Sequence, residues 1–187
     1  IGMRIYDWLC QRDGVDVRAL LTERDQLDIV HRIAPEFIIS VGFEYLVPPD
    51  ILDIPSEDAI NLHPSYLPYN RGKSPNVWPL IEGTPAGVTL HSMDAEFDTG
   101  DIIAQQRVVT EFSDTGETLH KRLEDAQFEL FTETWPNIES GDVEYSPQDD
   151  ADGTYHTKAD FVELCELDSD EEVGIKTLLN RLRALTF

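Results

Sequence analysis

The run Asn61-Leu62-His63-Pro64-Ser65 contains the residues of this sequence best suited to chemistry. Side chains two positions apart on a strand point to the same face, so Asn61 and His63 would enter one pocket. A carboxylate, Asp98, stands in the later turn Asp98-Thr99-Gly100-Asp101 and could close that pocket. An amide, an imidazole and a carboxylate can together stabilise an oxyanion, move a proton and hold the imidazole in place. The residue types therefore suit acyl transfer to an amine.

Each of these residues also has a structural interpretation. A single Asn on a buried strand is usually a satisfied structural amide, and a lone His is usually a core or surface residue. Asp98 two positions before Gly100 also fits an Asx turn. The pairing of Asn61 with His63, followed by the later Asp, favours the catalytic interpretation. We interpret His91, at the end of another predicted strand, as structural.

Hydrophobic patterns predict the elements that must position these side chains. Strands are expected at residues 15–21, 37–41, 59–63, 87–93 and 102–109, and helices at 2–12, 25–33, 74–81 and 171–185. A further helix is expected to begin at a capping box of Asp114 and Glu117 and to close at Pro136 and Gly141. Helices alternating with apolar strands predict an α/β fold, an open Rossmann-like, mostly parallel sheet with flanking helices. We place a catalytic domain over residues 1–140 and a small C-terminal appendage of helix and loop over 141–187.

Ligands of open α/β sheets bind beyond the carboxyl ends of the strands. Three segments rich in turn residues fall there, at 42–49, 63–73 and 93–101. The sequence contains neither a Gly-x-Gly-x-x-Gly motif nor a P-loop, so a dinucleotide or nucleoside triphosphate site is not expected. No His, Cys and acid cluster has the spacing of zinc ligands, and we expect no metal.

Composition and charge exclude several classes of protein. The 187 residues indicate one domain, and 41% hydrophobic residues suffice for a core. The net charge of -23 argues against nucleic-acid binding, which needs clustered Lys and Arg. Because the acids are spread along the chain, a surface solvated for high salt is favoured over binding to a basic protein. No apolar run could cross a bilayer and no secretory signal opens the chain, so we expect a cytoplasmic protein with two buried free thiols, Cys10 and Cys165.

Several separated motifs occur in order and resemble one family. They are Asn61-Leu-His-Pro-Ser-Tyr-Leu-Pro, Arg71-Gly72, Gly87-Val-Thr-Leu-His91 and Asp98-Thr-Gly-Asp-Ile-Ile-Ala-Gln105. Together they resemble the folate-dependent formyltransferases. The stretches at 69–73, 76–78 and 82–85, with Gly153-Thr-Tyr-His156 near the end, are most similar to the sugar-nucleotide N-formyltransferases. That family usually opens with an apolar strand, which we expect to be missing here because Ile1-Gly2 leads straight into the first helix.

The resemblance implies transfer of a formyl group from 10-formyltetrahydrofolate to the amine of an amino-sugar nucleotide. Asn61 would donate to the oxyanion that forms on the formyl oxygen. His63 would either donate to that oxyanion or take the proton from the amine, and the sequence leaves both open. Asp98 would orient His63 and raise its basicity.

Substrate contacts are also implied by the resemblance. Part of the pterin slot would come from Tyr45, Leu46 and Val47, with backbone near Asp94. The nucleotide-sugar side would include Tyr66, Asn70, Arg71 and Lys73, of which the two cations suit a diphosphate. A homodimer is a further arrangement that the resemblance allows.

Two alternatives remain. One is a methionyl-tRNA formyltransferase-like enzyme, against which stand the net charge and the lack of a large following domain. The other is a truncated, inactive relative that acts as a binding subunit, suggested by the missing first strand.

Overall fold

A four-stranded sheet forms the centre of the computed structural model, which describes residues 1–149, 152–168 and 170–187. Its strands stand in the order β1-β2-β4-β5, and they are β1 Phe37–Ser40, β2 Asp58–His63, β4 Gly87–Ser92 and β5 Ile102–Arg107. A two-stranded ladder, with β3 Arg71–Gly72 parallel to β6 Tyr155–His156, forms the second sheet. Three residues of the predicted C-terminal appendage, Asp150, Ala151 and Ser169, lie outside the described residues.

Helices surround this sheet. They are α1 Gly2–Cys10, a 3₁₀ helix at Arg24–Ile29, α2 Val30–Ile33, α3 Pro49–Leu52, α4 Trp78–Glu82, α5 Gly116–Ser140, α6 Lys158–Cys165 and α7 Ile175–Ala184. The α/β class with flanking helices is thus confirmed. Among the described residues, no helix has both the length and the apolarity needed to span a membrane.

Strand directions in the main sheet are mixed. β1 and β2 pair in parallel, whereas β2–β4 and β4–β5 pair antiparallel, so the sheet holds fewer parallel pairs than the sequence predicts. The reason is that burial on both faces produces a continuous apolar run whatever the direction of the neighbouring strand. β4 and β5 are joined by the short segment 93–101, and such a short connection allows only an antiparallel pair.

The core lies between the central strands and the long helix α5. Ile60, Leu62, Val88 and Leu90 are fully buried on β2 and β4. From α5, Leu119, Leu123, Leu130 and Phe131 pack into the same cluster, together with Ile5 and Leu9 of α1. Gln127 of α5 donates from Nε2 to the Leu62 carbonyl over 2.9 Å, which fixes the helix against β2. Burial of this one face of β2 leaves its other face for Asn61 and His63.

Several predicted elements differ from the structure. Residues 15–21 do not form a strand, because side-chain alternation alone does not supply a neighbouring strand to share backbone hydrogen bonds. The N-cap of α5 is Thr115, in a capping box with Thr118, rather than Asp114 with Glu117. The helix also continues past Pro136 to Ser140, since a proline removes only one backbone hydrogen bond and buried Trp135 and Ile138 anchor the last turns.

Candidate active site

A cleft of about 440 Å³ opens over the carboxyl ends of β1 and β2. Residues from all three predicted ligand segments border it, at 42–47, 63–64, 72–75, 93–94 and 96–98. The sequence did not predict a fourth segment, residues 155–158, which approaches from the C-terminal appendage and completes the wall. The volume falls in the range of small-molecule sites.

Asn61 and His63 enter this cleft from alternate positions of β2. Leu62, between them, is fully buried on the opposite face. Across the antiparallel ladder, Asn61 stands opposite His91 and His63 opposite Thr89. The side chains that the alternation predicts on one face therefore share the cleft with His91 of β4.

Asp98 joins this pair in the way the sequence predicts. Its Oδ1 lies 3.3 Å from His63 Nδ1 and accepts from Asn61 Nδ2 over 3.3 Å. Its Oδ2 accepts from the backbone N–H of Gly72 over 3.0 Å. Asp98 is buried and adopts a left-handed backbone with φ of 58°. One carboxylate thus holds both the amide and the imidazole.

The glycine of the Asp98-Thr99-Gly100 motif has a steric reason. A Cβ atom on Gly100 would lie 1.9 Å from the carbonyl oxygen of Ser92, at the end of β4. Only glycine permits this approach of the two backbones. The close contact brings the turn against β4 and so brings Asp98 to Asn61 and His63.

His63 has one ring nitrogen available for a reactant. Because Nδ1 faces the Asp98 carboxylate, the neutral ring carries its proton there and Nε2 is the acceptor. Nε2 is buried and has no hydrogen-bond partner among the described residues. A buried polar atom without a partner is costly unless a ligand satisfies it. In the cleft, that atom can take a proton from a bound nucleophile.

His91 is a site residue that the sequence interpretation missed. Its Nδ1 lies 2.7 Å from the carbonyl oxygen of Ser92, which only accepts, so this nitrogen carries the proton. Nε2 then accepts from Asn61 Nδ2 over 3.2 Å. Burial, together with the charge of His63, lowers the pKa of His91 to about 4, so the ring is neutral near pH 7. The sequence alone does not show the strand pairing that places His91 opposite Asn61, and that pairing would have identified it.

The amide of Asn61 is therefore held on both sides. One N–H meets His91 and the other meets Asp98, both at distances near the long end for such bonds. Long hydrogen bonds in an unliganded site often rearrange when the substrate binds. An N–H of Asn61 can reach a developing oxyanion only by exchanging one of these two acceptors.

Buried polar groups shape the loop that follows His63. Thr89 donates from Oγ1 to the Ser65 carbonyl over 2.7 Å and accepts from Leu67 N over 3.1 Å. Gln105 donates to the same Thr89 oxygen over 2.9 Å and to the Leu67 carbonyl over 2.8 Å. The network fixes the start of the 63–73 segment at the edge of the cleft.

All four residues predicted for the pterin slot line the cleft. Tyr45 and Leu46 are partly exposed there, while Val47 is buried. Asp94 accepts at Oδ1 from Thr99 Oγ1 over 2.7 Å, which links the two ends of the 94–99 turn. These residues form one side of the cleft, next to the catalytic candidates.

Residues predicted for the nucleotide-sugar side are separated in the structure. Lys73 lines the cleft and pairs with Glu44 at 3.0 Å. Tyr66 instead packs beneath the guanidinium of Arg107, and Arg71 lies against Gly153. Neither Tyr66 nor Arg71 lines the cleft.

Asn70, predicted to lie on the nucleotide-sugar side, has a structural role in the folded chain. It is fully buried, with 0% of its surface exposed. Its Nδ2 donates to the Pro85 carbonyl over 3.1 Å, and its Oδ1 accepts from Thr84 over 2.9 Å. Its backbone N–H donates to Thr154 Oγ1 over 2.7 Å. Polar residues next to a binding motif can equally be structural, and here Asn70 joins three chain segments.

Lys158 and Tyr155 line the cleft from the C-terminal appendage and were not predicted. The hydrogen bond and charge of Lys73 lower the pKa of Glu44, and the charge of Lys158 adds to this effect, so both cations lie near that carboxylate. Two of the four lysines in a chain of net charge -23 thus stand at one cleft. Lysine scarcity was the signal that could have indicated Lys158.

Comparison with known proteins identifies the family to which this chain belongs. Residues 9–135 match the family model described as formyl transferase, and residues 160–187 match the N-formyltransferase dimerization C-terminal domain. The chain belongs to the formyl transferase family. The family predicted from the sequence motifs is confirmed, and the formyl transferase model spans every residue that we place at the catalytic centre.

Several relatives of this formyl transferase are sugar formyltransferases. A dTDP-4-amino-4,6-dideoxyglucose formyltransferase of Mycobacterium bovis is 34% identical over 165 residues, which are 85% of this chain and 69% of the relative. The structure of a Shewanella sugar N-formyltransferase matches with a TM-score of 0.80 and 26% identity, over 87% of this chain but only 65% of that protein. The formyltransferase PseJ of Anoxybacillus kamchatkensis was solved with UDP-4,6-dideoxy-4-formamido-L-AltNAc and tetrahydrofolate. It matches with a TM-score of 0.69 and 36% identity, over 92% of this chain and 84% of its own.

Proposed function

We propose that this formyl transferase moves the formyl group of 10-formyltetrahydrofolate to the amine of an amino-sugar nucleotide. The observation that supports it is the convergence of Asn61 and His63 on one oxygen of Asp98, inside a cleft of ligand size. The sugar formyltransferases among its relatives supply the substrate class.

The reaction follows from the positions of the polar atoms. The acceptor amine attacks the formyl carbon, so a C–N bond forms and the formyl oxygen becomes an oxyanion that accepts an N–H from Asn61. His63 Nε2 takes the proton that the amine loses, while Asp98 stabilises the resulting imidazolium. The bond from the carbon to N10 of the folate then breaks, and the proton passes to N10. The products are the formamido sugar and tetrahydrofolate.

The cleft has two sides that suit the two substrates. Tyr45, Leu46 and Val47 offer apolar surface for the flat pterin, with Asp94 beyond them. Lys73 and Lys158 offer positive charge for the diphosphate of the acceptor. We assign Lys158 to this role beside Lys73, in place of Arg71, which does not line the cleft.

A formyl-transfer assay tests the proposal. Purified protein is incubated with 10-formyltetrahydrofolate and either a 4-amino-sugar nucleotide or methionyl-tRNA, and tetrahydrofolate release is followed. We expect turnover with the nucleotide sugar as acceptor and none with methionyl-tRNA. The His63→Ala variant should lose roughly 10²- to 10⁴-fold in kcat. The exposed His120→Ala is the matched control and should keep full activity. No turnover by the folded protein, or equal turnover by His63→Ala, contradicts the proposal.

We further propose that the chain forms a homodimer through its C-terminal helices. Large apolar side chains are exposed along α7 and just beside it, at Val173, Ile175, Leu178, Leu179 and Leu182. The same stretch matches the dimerization domain. Light scattering of the wild type should give twice the chain mass of 21.2 kDa. The Leu179→Glu variant should give the mass of a single chain. A monomeric wild type contradicts this assignment.

We also propose that the protein is cytoplasmic and that its surface is adapted to high salt. Cys10 and Cys165 are both free but exposed, so the burial predicted for them is wrong. Exposed free thiols fit a reducing cytoplasm. The net charge of -23 fits a surface adapted to high salt, which screens repulsion within roughly 3 Å at 1 M. Thermal stability should rise between low salt and molar KCl, and a fall over that range contradicts salt adaptation.

A further inference from the structure

Gln148 contacts the backbone of the turn that presents Asp98. Its Nε2 donates to the Asp98 carbonyl over 2.9 Å and to the Gly100 carbonyl over 2.8 Å. Both hydrogens of one amide group are therefore used on the two carbonyls that flank Thr99. Gln148 itself does not line the cleft.

The turn needs such support because its backbone is strained. Asp98 adopts φ of 58°, a left-handed conformation that costs an L-residue roughly 1 kcal/mol or more. Gly100 lies so close to Ser92 that no side chain fits between them. A strained turn persists only where its surroundings hold it in place.

Gln148 is itself fixed to the main sheet. Ser146, two residues earlier, exchanges two backbone hydrogen bonds with Ile102 at the start of β5, of 2.8 and 2.9 Å. Ile102 follows the Asp98 turn directly, so Gln148 reaches across from a segment paired to the same strand. This pairing holds the Gln148 amide within hydrogen-bonding distance of the turn.

A second contact that holds Asp98 also depends on the C-terminal appendage. Gly72, which donates to Asp98 Oδ2 over 3.0 Å, is paired with His156 in the β3–β6 ladder. Gly72 has φ of 87°, and a Cβ atom there would lie 2.4 Å from the His156 carbonyl oxygen. The backbone of Asp98 and its carboxylate are thus both held by residues that depend on the chain after residue 140.

We propose that Gln148 is a positioning residue for Asp98, so that the C-terminal appendage sets the geometry of the catalytic centre. Gln148 acts by holding the Asp98 turn, which keeps Oδ1 at His63 Nδ1 and Asn61 Nδ2. The kinetic readout rests on the proposed formyl transfer, whereas the placement of Asp98 against His63 is measured without turnover.

The test uses the full chain with Gln148→Met and Gln148→Asn, and Gln11→Met as control. Met keeps the length of the side chain but loses both donors, while Asn keeps the amide on a chain one methylene shorter. Gln11 is exposed at the end of α1. The measurements are kcat, the KM for each substrate, thermal unfolding and the NMR signal of the His63 Nδ1 proton.

We expect kcat to fall roughly ten- to a hundredfold in Gln148→Met, since a displacement of about 1 Å can cost that much. Both KM values should stay within about twofold, and the His63 Nδ1 proton signal should shift or broaden. Gln148→Asn should show a smaller change in the same direction, and it decides the test if Gln148→Met does not fold. Gln11→Met should match the wild type.

Unchanged kcat and unchanged His63 signal in folded Gln148 variants overturn the inference. A kcat that falls only in proportion to lost folded protein, with the same His63 signal, overturns it as well. If the wild type shows no formyl transfer, the proposed function fails, yet the His63 signal still shows whether Gln148 positions Asp98.

Discussion

His91 Nε2 accepts a hydrogen bond of 3.2 Å from Asn61 Nδ2, directly across the β2–β4 ladder. The bond requires a neutral His91 whose proton sits on Nδ1, and the Ser92 carbonyl supplies the acceptor that keeps it there. The Asn61 amide, our proposed donor to the oxyanion, is therefore oriented by a ring that must stay neutral in the working pH range of the enzyme.

Acid should destabilise the fold through His91. Burial, aided by the charge of His63, lowers the pKa of His91 from 6.5 to about 4, so the unfolded chain binds this proton first as the pH falls. The unfolded state then gains stability, and the free energy of unfolding decreases from pH 6.5 down to about 4. The expected loss is on the order of 3 kcal/mol. Urea unfolding across this pH range measures it.

His91→Gln provides the comparison, because its amide nitrogen can still bond to a carbonyl but the side chain does not titrate. The variant should show a shallower fall in stability over the same pH range. Parallel curves for the two proteins would mean that His91 titrates normally and that other groups cause the acid transition.

Gly100→Ala should impair catalysis. The added Cβ would overlap the Ser92 carbonyl oxygen at 1.9 Å, so the Asp98 turn must move away from β4. We expect kcat to fall roughly ten- to a hundredfold as Asp98 leaves His63. Gly2→Ala, whose Cβ would make an ordinary contact of 3.6 Å with Val41, is the control. Equal kcat in both variants would contradict this account of the motif.

Asn70→Ala should reduce stability more than substrate affinity. Its amide is buried and bonded to Thr84 and Pro85, and removing it leaves those partners unsatisfied, at a cost of about 1 to 3 kcal/mol. Chemical denaturation measures the loss, with the exposed Asn137→Ala as control. A raised acceptor KM without loss of stability would restore Asn70 to the substrate site.

Lys73→Ala and Lys158→Ala should weaken acceptor binding. Each removes a cation that lines the cleft, and we expect the acceptor KM to rise roughly fivefold, a modest effect because both side chains are partly hydrated. Because molar salt screens the attraction between these lysines and the acceptor, it should reduce the difference in acceptor KM between wild type and variant. Lys121→Ala, on the exposed side of α5, should leave KM unchanged. An effect of Lys158→Ala on the donor KM alone would place the folate tail there instead.

Much of the site was predictable where one strand determines it. Asn61 and His63 share a face because strand alternation allows no other arrangement, and the turn residues around Gly100 indicated where Asp98 would sit. Residues 15–21 show the limit, since an apolar pattern cannot state whether a neighbouring strand exists. Asn70 shows another, because burial of a polar side chain depends on segments such as Thr84 and Thr154 that are distant in sequence.

The motifs indicated the family, and the residue pattern singled out an amide, an imidazole and a carboxylate as candidates for its chemistry. Local backbone geometry was enough for that, because alternation and turn propensity act over a few residues. The folded chain was needed to show that His91 bonds to Asn61, that Lys158 lies at the same cleft as Lys73, and that Gln148 bonds to the Asp98 turn. Those contacts join residues far apart in the chain, whose distances are set by strand order and by packing of the C-terminal appendage.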